Sequence, residues 1–513
     1  MSFQPASDVF ENTYAAGQAQ VVWTRIIDDL ETPVSAYLKI GHGRTFAFLY
    51  ESVEGGTWRG RYSIVAMKPD LVWRCRGNRA EIADGEAAIA SHTYQPEAGG
   101  ALDSLRDLVA RSQFVLPKDL PPMVSGLFGA IGYDMVRLAE HLPAVNPDAL
   151  DLPDGIMIRP QIVAVFDSIG QEIILVTTVR PGAMSAKDAH AAAVQRLEAT
   201  IADLRRPLAH HAPRPAYDPG EFTSPLSREA YKAMVEKAKT YIRAGDIFQV
   251  VPSQRFRAPF ALDSFAFYRA LRRMNPSPYL FFLNFGNFQL AGSSPEIMVR
   301  LRDDKITIRP IAGTRPRGKT PEEDIALEQD LLNDPKELSE HLMLLDLGRN
   351  DVGRVAMLQK PGQNDPSPHM AKAGPNVRVT QSFGIERYSH VMHIVSNVEG
   401  DAPRGVDPVD VIMAALPAGT VSGAPKVRAM EIIDELESEK RGIGYAGAAG
   451  YISADGSVDT CILLRTALFK DGIMYVQAGG GVVADSDPDA EYEETLHKSA
   501  ALRRAAAEAW RFS

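Results

Sequence analysis

The strongest constraint on the fold is a series of short β-branched and aromatic runs that face one another across tight turns. The runs DLVWRCR and AEIA, at 70–76 and 80–83, flank a Gly-Asn pair that is typical of a hairpin turn. The runs QIVAVFD and EIILVTTV, at 161–167 and 172–179, are separated by only four residues. Connections this short join antiparallel neighbours, so the sequence predicts antiparallel sheets.

Later in the chain, strand-like runs alternate with capped helices. The runs YLFFLNF, EIMVRL and KITIRPIA begin at residues 279, 296 and 305, and helix-capping pairs follow at Asp334-Pro335 and Asp487-Pro488. This mixture favours helices packed on antiparallel sheets. The predicted fold class is α+β, a large α/β sandwich of antiparallel sheets flanked by helices.

Two breaks in composition indicate how the chain is organised. The segment 205–227, RRPLAHHAPRPAYDPGEFTSPLS, is rich in Pro and His and has no sustained apolar period, which predicts a linker. It separates an N-terminal part, 1–204, from a larger C-terminal part, 228–513. A second break at 359–376 predicts a long insertion loop in the C-terminal part.

The bulk composition excludes several classes of protein. With 45% hydrophobic and 23% charged residues, the 513-residue chain has ordinary globular composition. A net charge of −10 argues against nucleic-acid or anionic-membrane binding. Cys75 and Cys461 are too few for a disulfide scaffold, and neither a signal peptide nor an apolar run of about 18 residues is visible. We therefore expect a cytoplasmic protein that does not span a membrane.

The stretch GTRPRGKT, at 313–320, matches the pattern of a nucleotide-binding phosphate loop. Such a loop binds phosphate through successive backbone N–H groups, and Pro316 lacks one. The following TPEED predicts a helix capped by Thr320 with three carboxylates in its first turn, which would repel a triphosphate. The run LMLLD, which would have to be a strand ending in a metal-binding Asp, lies in a predicted helix. Nucleotide binding remains the alternative from a different functional class.

Two carboxylates on different capped helices form a candidate metal site. Glu340 lies on one helix, and Glu494 shares a face of the other with Glu491 and Lys498 at positions i, i+3 and i+7. Mg²⁺ is usually held by one or two protein carboxylates together with water and an anionic substrate. Each carboxylate on its own is equally consistent with a solvated ion-pair face.

Other residues are candidates for binding an anion. Thr314 follows Gly313, where a ligand can approach the backbone closely. Three glycines at 479–481 follow an apolar strand, so their N–H groups could bind a carboxylate, and a structural tight turn is the alternative. His393 lies in a β-rich run, where a buried histidine with a structural hydrogen bond is the alternative to a catalytic one.

Nine ordered blocks between about residues 225 and 505 resemble the family of chorismate-utilising enzymes. They are GDIFQVVPSQRF, SSPEIMVRL, RPIAGTRPRG, EHLMLLDLGRNDVGRV, HVMHIVSNVEG, LPAGTVSGAPKVRAMEII, GYAGAAGYI, DTCILLRTALF and QAGGGVVADSDPDAEYEET. The resemblance implies a large α/β sandwich that binds chorismate, a cyclohexadiene with two carboxylates, and Mg²⁺ at the ring carboxylate.

The resemblance also implies roles for individual positions. The implied metal ligands are Glu340 and Glu494, and Lys498 is implied as a further electrostatic group. Residues implied to lie near the departing ring hydroxyl are His393 and Thr420. Implied substrate contacts are Gly313, Thr314, Tyr445, Arg465, Gly479, Gly480 and Gly481.

Two positions distinguish members of the family by their attacking group. Where isochorismate and salicylate synthases carry a Lys that deprotonates water, this chain has Gln249, which cannot act as a base, whereas ammonia needs none. Where many aminodeoxychorismate synthases carry a nucleophilic Lys, this chain has Ala312. The resemblance therefore implies a lyase that converts chorismate and ammonia into anthranilate and pyruvate. An aminodeoxychorismate synthase without the usual Lys is the alternative within the family.

Two further segments resemble the tryptophan-binding segments of feedback-inhibited family members. They are FLYESVEGGTWRGRYSIVA and NPSPYLFFL, in which the implied contacts are Ser52, Pro278, Tyr279 and Leu280. Tyr50 and Leu280 replace the Leu and Met that are common at these positions, which concerns the affinity for tryptophan more than the existence of the site.

The resemblance implies a partner that supplies ammonia from glutamine. A glutaminase of the expected class needs a Cys in a Gly-x-Cys-x-Gly turn, and neither Cys75 nor Cys461 has that setting. A separate small glutaminase subunit is therefore implied, in a heterotetramer.

Overall fold

The structure of the protein is a computed structural model that describes residues 2–52, 60–143, 146–208, 215–357, 376–388 and 391–513. All but the last residue of the predicted insertion at 359–376 lies outside the described residues. So do residues 209–214 of the predicted linker and residues 53–59 of the first predicted tryptophan segment.

The strands carry the β-branched and aromatic runs of the sequence. In chain order they are β1 (Gln20–Ile27), β2 (Ala47–Glu51), β3 (Tyr62–Arg76), β4 (Arg79–Asp84), β5 (Gln95–Pro96), β6 (Gly126–Ile131), β7 (Gly155–Asp167), β8 (Glu172–Val179), β9 (Gln249–Val250), β10 (Ser253–Pro259), β11 (Tyr279–Asn284), β12 (Phe288–Ser294), β13 (Ile297–Arg302), β14 (Lys305–Ile308), β15 (Ile311–Pro316), β16 (Arg378–Arg387), β17 (Val391–Asp401), β18 (Gly423–Ala424), β19 (Ala448–Ser453), β20 (Val458–Ile462), β21 (Thr466–Lys470) and β22 (Ile473–Gly479).

The α-helices lie between these strands and at the C-terminal end. In chain order they are α1 (Ser7–Ala15), α2 (Pro33–Ala36), α3 (Glu86–Ala90), α4 (Ala101–Ser112), α5 (Ala186–Leu204), α6 (Arg228–Ala244), α7 (Ser264–Met274), α8 (Pro321–Leu332), α9 (Pro335–Ala356), α10 (Pro408–Ala415), α11 (Lys426–Leu436) and α12 (Pro488–Glu508).

Two antiparallel sheets share the long strands β3 and β7. These two strands pair from Tyr62 opposite Asp167 to Cys75 opposite Gly155, with an irregularity between Pro69 and Leu71. One end of this pair lies in a first sheet, of order β1-β8-β7-β3-β2-β11-β12-β21-β22-β10. The other end lies in a second sheet, of order β5-β4-β3-β7-β6-β19-β20-β13-β14-β17, in which β15 and β16 also pair with β17.

Strands from both sides of the predicted linker occur in both sheets. In the first sheet, β2 pairs with β11, with Glu51 opposite Leu280. In the second sheet, β6 pairs with β19, with Ile131 opposite Ala448. The segments before residue 205 and after residue 227 are therefore joined by continuous backbone hydrogen bonding.

Helices cover the outer faces of the two sheets. The core between the sheets contains residues of both, such as Phe128 and Phe281. A second core packs α1, α5, α7 and α12 on the first sheet, with Leu197 and Phe267 among its buried side chains. A third core packs α4, α9 and α10 on the second sheet, and Val352 is one of its buried residues. This layering confirms the predicted α+β sandwich of antiparallel sheets flanked by helices.

The predicted hairpins and helix caps are present. β3 pairs with β4 and β7 pairs with β8, as the short connections predicted. The side chains of Thr320, Asp334 and Asp487 each accept a hydrogen bond from the first turn of the helix that follows. The LMLLD run lies inside α9, so it cannot supply the strand-end Asp of a nucleotide site.

The segment 313–320, which matches the phosphate-loop pattern, is hydrogen-bonded to carboxylates of the protein itself. Residues 313–316 belong to β15. Asp324 accepts hydrogen bonds from the Gly318 N–H at 2.8 Å and from Arg317 Nε at 2.8 Å. Glu323 accepts from the Lys319 N–H at 2.7 Å, one residue before the cap, where a capping box would use the N–H of the cap residue itself. These contacts argue against nucleotide binding at this loop.

Membrane insertion by a helix also finds no support. Within the described ranges, no helix is both long and apolar enough to cross a bilayer.

A buried ion pair fastens α9 to α11. Lys426 Nζ lies 2.6 Å from Asp351 Oδ1, and each side chain is 5% exposed. We predict that Lys426→Met lowers the free energy of unfolding by about 3–5 kcal/mol, because it leaves a buried carboxylate without its partner. Urea denaturation at neutral pH measures this. The matched control is Arg349→Met, which removes an exposed pair with Asp346 and should cost less than about 1 kcal/mol. Equal losses in the two variants would contradict the prediction.

Candidate active site

Strands β15 and β17 bring three of the predicted residues together. Thr314 pairs with His393 across these strands, with Thr314 Oγ1 at 3.1 Å from His393 Nδ1. The carbonyl oxygen of Gly313 lies 2.9 Å from the same nitrogen, so Nδ1 carries the proton and donates it to that oxygen. Gly313 has a φ of +69°, which favours glycine at this position.

The environment of His393 determines its charge. The residue is 6% exposed, and burial lowers its pKa to about 4. The imidazole is therefore neutral at neutral pH, with Nε2 unprotonated and able to accept a hydrogen bond. His393 is thus suited to orienting a donor, and it is a poor proton donor itself.

Glu296 is a candidate residue that the sequence analysis did not single out. Its side chain is buried, and this burial raises its pKa to about 8, which the neighbouring Thr420 hydroxyl and Arg465 guanidinium only partly offset. Arg465 also lowers the pKa of His393, after the larger effect of burial, so these four side chains form one polar group. At neutral pH Glu296 is mostly a protonated carboxylic acid, and it is the group here best suited to giving a proton.

The signal for Glu296 in the sequence is weak. It stands in the SSPEIMVRL block, directly before the apolar strand β13. A carboxylate at the start of a strand is usually exposed, and only the packing of distant residues shows that this one is buried.

Helices α9 and α12 bring the two predicted metal carboxylates together. The pKa of Glu340 is raised by burial and then by the negative charges of Glu337 and Glu494, while Lys498 acts in the opposite direction. Lys498 Nζ lies 2.6 Å from Glu494 Oε1. Burial lowers the pKa of Lys498, but Glu494 more than offsets this effect, so the side chain remains a cation.

A further carboxylate on α12 borders this group. Glu491 Oε1 accepts a hydrogen bond from Ser486 Oγ at 2.6 Å, while its buried Oε2 has no hydrogen-bond partner in the described part of the chain. The pKa of Glu491 is raised by burial and by the charge of Glu494. No group of three or more metal-binding side chains forms a complete site within the ranges that the structure covers. A cation held here would keep water or substrate oxygens as ligands.

The glycines at 479–481 lie against other predicted residues. A Cβ atom on Gly479 would stand 2.9 Å from the hydroxyl oxygen of Tyr445, and one on Gly481 would stand 2.6 Å from Gln249 Nε2. Lys498 Nζ donates to the Gly479 carbonyl at 3.0 Å. The N–H of Gly480 donates to the Pro252 carbonyl at 3.3 Å, a long hydrogen bond that partly occupies one of the predicted carboxylate donors.

Gln249 lies beside this glycine loop. It is 3% exposed and belongs to β9, which pairs with β18. Its Oε1 atom is buried and accepts no hydrogen bond from the residues that the structure describes. Buried acceptors of this kind are uncommon, so the atom is available to a small donor.

The four predicted tryptophan contacts lie around a different cavity. Its volume is about 970 Å³, and Ser52, Pro278, Tyr279 and Leu280 all line it. Ser52 Oγ accepts a hydrogen bond from the Gly60 N–H at 2.8 Å. Charged side chains of both signs also line the cavity, namely Glu51, Arg61, Lys118, Arg300, Arg302, Asp303, Asp455 and Asp459.

Comparison with known proteins shows that the chain is similar to a family of enzymes that bind chorismate. The family model described as chorismate binding enzyme matches residues 49–504, and the chain belongs to this family.

Two relatives within the family are similar to this chain over nearly its whole length. It is 56% identical over 507 residues to anthranilate synthase component 1 of Cereibacter sphaeroides, which covers 98% of each chain. The crystal structure of anthranilate synthase component I from Streptococcus pneumoniae TIGR4 matches with a TM-score of 0.74 and 36% identity, over 93% of this chain and 99% of that one.

A more distant match shows how widely the fold is used. The menaquinone-specific isochorismate synthase of Escherichia coli matches with a TM-score of 0.68 and 19% identity, over 98% of this chain and 99% of that one. These findings confirm the resemblance, and the named relatives favour anthranilate formation over the aminodeoxychorismate alternative.

The buried acid Glu296 gives the stability a specific pH dependence. The pKa of Glu296 is about 8 in the folded chain and 4.5 in the unfolded chain. Its contribution to the free energy of unfolding is therefore fully present below pH 4.5 and is lost as the pH rises toward about 8. We predict that the free energy of unfolding of the parent chain decreases with pH across this window, compared with that of Glu296→Gln. The difference between the two should change by up to about 1.4 kcal/mol per pH unit. Urea denaturation from pH 5 to 9 measures the difference. Glu322→Gln, at an exposed position, is the control, and parallel curves for the parent chain and Glu296→Gln would contradict the prediction.

Proposed function

We infer that this chain converts chorismate and ammonia into anthranilate and pyruvate, the first step of tryptophan biosynthesis. The near full-length similarity to anthranilate synthase component 1 supports the reaction. The structural observation that supports ammonia as the nucleophile is the Oε1 atom of Gln249, which is buried and has no hydrogen-bond partner among the described residues.

Gln249 fits ammonia as the attacking group. An amide oxygen can accept an N–H bond of ammonia and so hold the nitrogen lone pair toward the ring of chorismate. An amide is not basic, so it cannot activate water by removing a proton. Its neighbour Gly481 leaves no side chain between Gln249 and the glycine loop.

The reaction begins with addition of ammonia at C2 of chorismate and departure of the C4 hydroxyl. Glu296, protonated at neutral pH, gives its proton to this hydroxyl, which leaves as water. The neutral His393 and the Thr420 hydroxyl orient the departing group. The nitrogen that has added loses one proton, so that ammonia is exchanged for water overall. Loss of the C2 proton then breaks the C3–O bond and leaves the aromatic ring of anthranilate. The enolpyruvate that departs takes up a proton at its methylene carbon and becomes pyruvate.

Several positive and polar groups are proposed to contact the substrate. Arg465 is assigned to a carboxylate of chorismate, and Tyr445 and the glycine loop 479–481 form the wall against which the ring carboxylate lies. Gly313 and Thr314, on β15, are assigned as further contacts of the substrate. Lys498, held as a cation by Glu494, adds positive charge near the same carboxylate.

The carboxylates of α9 and α12 fit Mg²⁺. Glu340 carries a raised pKa because burial and like charges disfavour its ionised form, and a divalent cation would relieve both effects. Glu340 and Glu494 would hold the ion, with water and the ring carboxylate completing its oxygen ligands. The bound ion would draw electron density into the ring carboxylate.

Removing either carboxylate tests the metal assignment. We predict that Glu340→Gln and Glu494→Gln each lower Mg²⁺-dependent anthranilate formation by at least about 100-fold, because the ion loses a charged ligand. Fluorescence of anthranilate at saturating chorismate measures this, and circular dichroism checks the fold. The control is Glu493→Gln. Glu493 lies on α12 beside Glu494 and forms an ion pair with Arg228 of α6, so its loss should leave turnover normal. Near-normal turnover in either site variant would overturn the metal assignment.

A second subunit completes the physiological reaction. The name component 1 in the relatives indicates a further component. We propose that it is a glutaminase that releases ammonia beside Gln249, in a heterotetramer. Both cysteines of this chain are buried, and burial raises the pKa of the Cys75 thiol to about 12 and that of Cys461 well above its usual range. Neither thiol is therefore suited to attack glutamine.

The cavity of about 970 Å³ is proposed to bind tryptophan as a feedback inhibitor. Tyrosine and proline side chains offer apolar surface for an indole ring. Carboxylates and guanidinium groups in the same lining suit the two charges of a free amino acid.

A change at Ser52 tests this regulatory site. We predict that Ser52→Phe weakens tryptophan inhibition at least about tenfold, a loss of about 1.4 kcal/mol, because the ring occupies part of the cavity. Activity without tryptophan should be unchanged, since Ser52 is outside the active site. Inhibition curves for anthranilate formation measure the effect. Ser91→Ala, outside the cavity, is the control, and unchanged inhibition in Ser52→Phe would remove the assignment.

A further inference from the structure

We propose that Arg441 is a positioning residue that holds three segments of the active site in register. It acts on the segments that carry Gln249, Thr420 and Tyr445, together with its partner Glu437. The proposal rests on the proposed function, because it assigns those segments to the reaction.

Two carbonyl groups next to site residues accept hydrogen bonds from Arg441. Its Nη1 donates to the Val421 carbonyl at 2.7 Å, and Val421 directly follows Thr420. Its Nη2 donates to the Val251 carbonyl at 2.6 Å, two residues after Gln249. One guanidinium group therefore sets the distance between the segment of the ammonia-binding amide and the segment beside the departing hydroxyl.

Glu437 extends this contact to the glycine loop. Arg441 Nε donates to Glu437 Oε2 at 2.9 Å. Glu437 Oε1 accepts from both the N–H and the Oγ of Ser253, each at 2.8 Å. Ser253 pairs with Gly479 between β10 and β22, so the carboxylate fixes the strand edge on which the substrate loop begins.

Two aromatic rings enclose the guanidinium group. Its central carbon lies 5.3 Å from the ring centroid of Tyr445 and 4.8 Å from that of Tyr133. Tyr445 is an assigned substrate contact, and Tyr133 comes from the segment before the predicted linker. Arg441 is 2% exposed, so these cation–π contacts are formed away from water.

Only arginine can make this set of contacts. Its planar guanidinium directs N–H groups along several fixed directions, and here Nε, Nη1 and Nη2 each bond a different acceptor atom. A lysine at the same position would keep the positive charge opposite Glu437, but one ammonium cannot reach both carbonyls and the carboxylate in the same geometry. A displacement of about 1 Å in reacting groups can cost about 100-fold in rate.

The test compares Arg441→Lys with a matched control. Arg159→Lys alters another buried arginine, which lies outside the candidate active site. Its Nε atom donates a hydrogen bond to Asp70 Oδ1 at 2.6 Å. For the parent chain and both variants, we would measure the melting temperature, kcat, the KM values for chorismate and ammonium, and tryptophan inhibition. Glu437→Gln is a second variant that keeps the shape of the pair and removes its charge.

We expect the melting temperature to fall by a similar amount in both lysine variants. The kcat should fall about 100-fold in Arg441→Lys only. Tryptophan inhibition should be unchanged, and Glu437→Gln should lose kcat in the same direction. Arg441→Lys with normal kcat, or Arg159→Lys with an equal loss, would reduce Arg441 to a structural role and overturn the proposal. If Arg441→Lys does not fold, normal kcat in Glu437→Gln would also overturn it. A parent chain that makes no anthranilate would instead refute the proposed function.

Discussion

Backbone pairing between β3 and β7 holds the two sheets of the protein together. Because these two strands run through both sheets, they fix how the sheets lie on one another. The first sheet carries the β2–β11 pair that borders the cavity proposed to bind tryptophan. The second sheet carries β15 and β17, which position Gly313, Thr314 and His393. A single strand pair thus relates the candidate regulatory and active sites.

The two sites are also connected by short contacts. Tyr279, which lines the cavity, stands opposite Ser294 between β11 and β12. Ser294 is two residues before Glu296, the buried acid of the candidate active site. Cys461 lines the cavity, and the next residue, Ile462, donates its N–H to the Glu296 carbonyl at 3.0 Å. These contacts link this wall of the cavity to the backbone of Glu296.

Local patterns in the sequence were sufficient to predict several elements of the fold. Short turns between β-branched runs gave the hairpins, and Asp334 and Asp487 marked the starts of α9 and α12, because these signals act within a few residues. The placement of Glu340 and Glu494 near one another followed from the family resemblance. Nothing local in the sequence could show it, since 154 positions separate them along the chain.

Burial and long-range pairing could not be predicted from the sequence. Glu296 and Arg441 look like ordinary charged residues at a strand start and after a helix. Their properties arise from packing against segments far away in the chain, which raises the pKa of Glu296 and brings Val251 and Val421 to the Arg441 guanidinium. The division into parts at 1–204 and 228–513 remains a prediction, and hydrogen-bonded strands join the two.

The proposed reaction can be tested with the purified chain alone, given chorismate, Mg²⁺ and excess ammonium at mildly alkaline pH. Products would be followed by fluorescence and mass, with and without tryptophan. We expect anthranilate and pyruvate in equal amounts, with formation suppressed by tryptophan. Aminodeoxychorismate without pyruvate, or a folded chain that leaves chorismate unchanged, would contradict it.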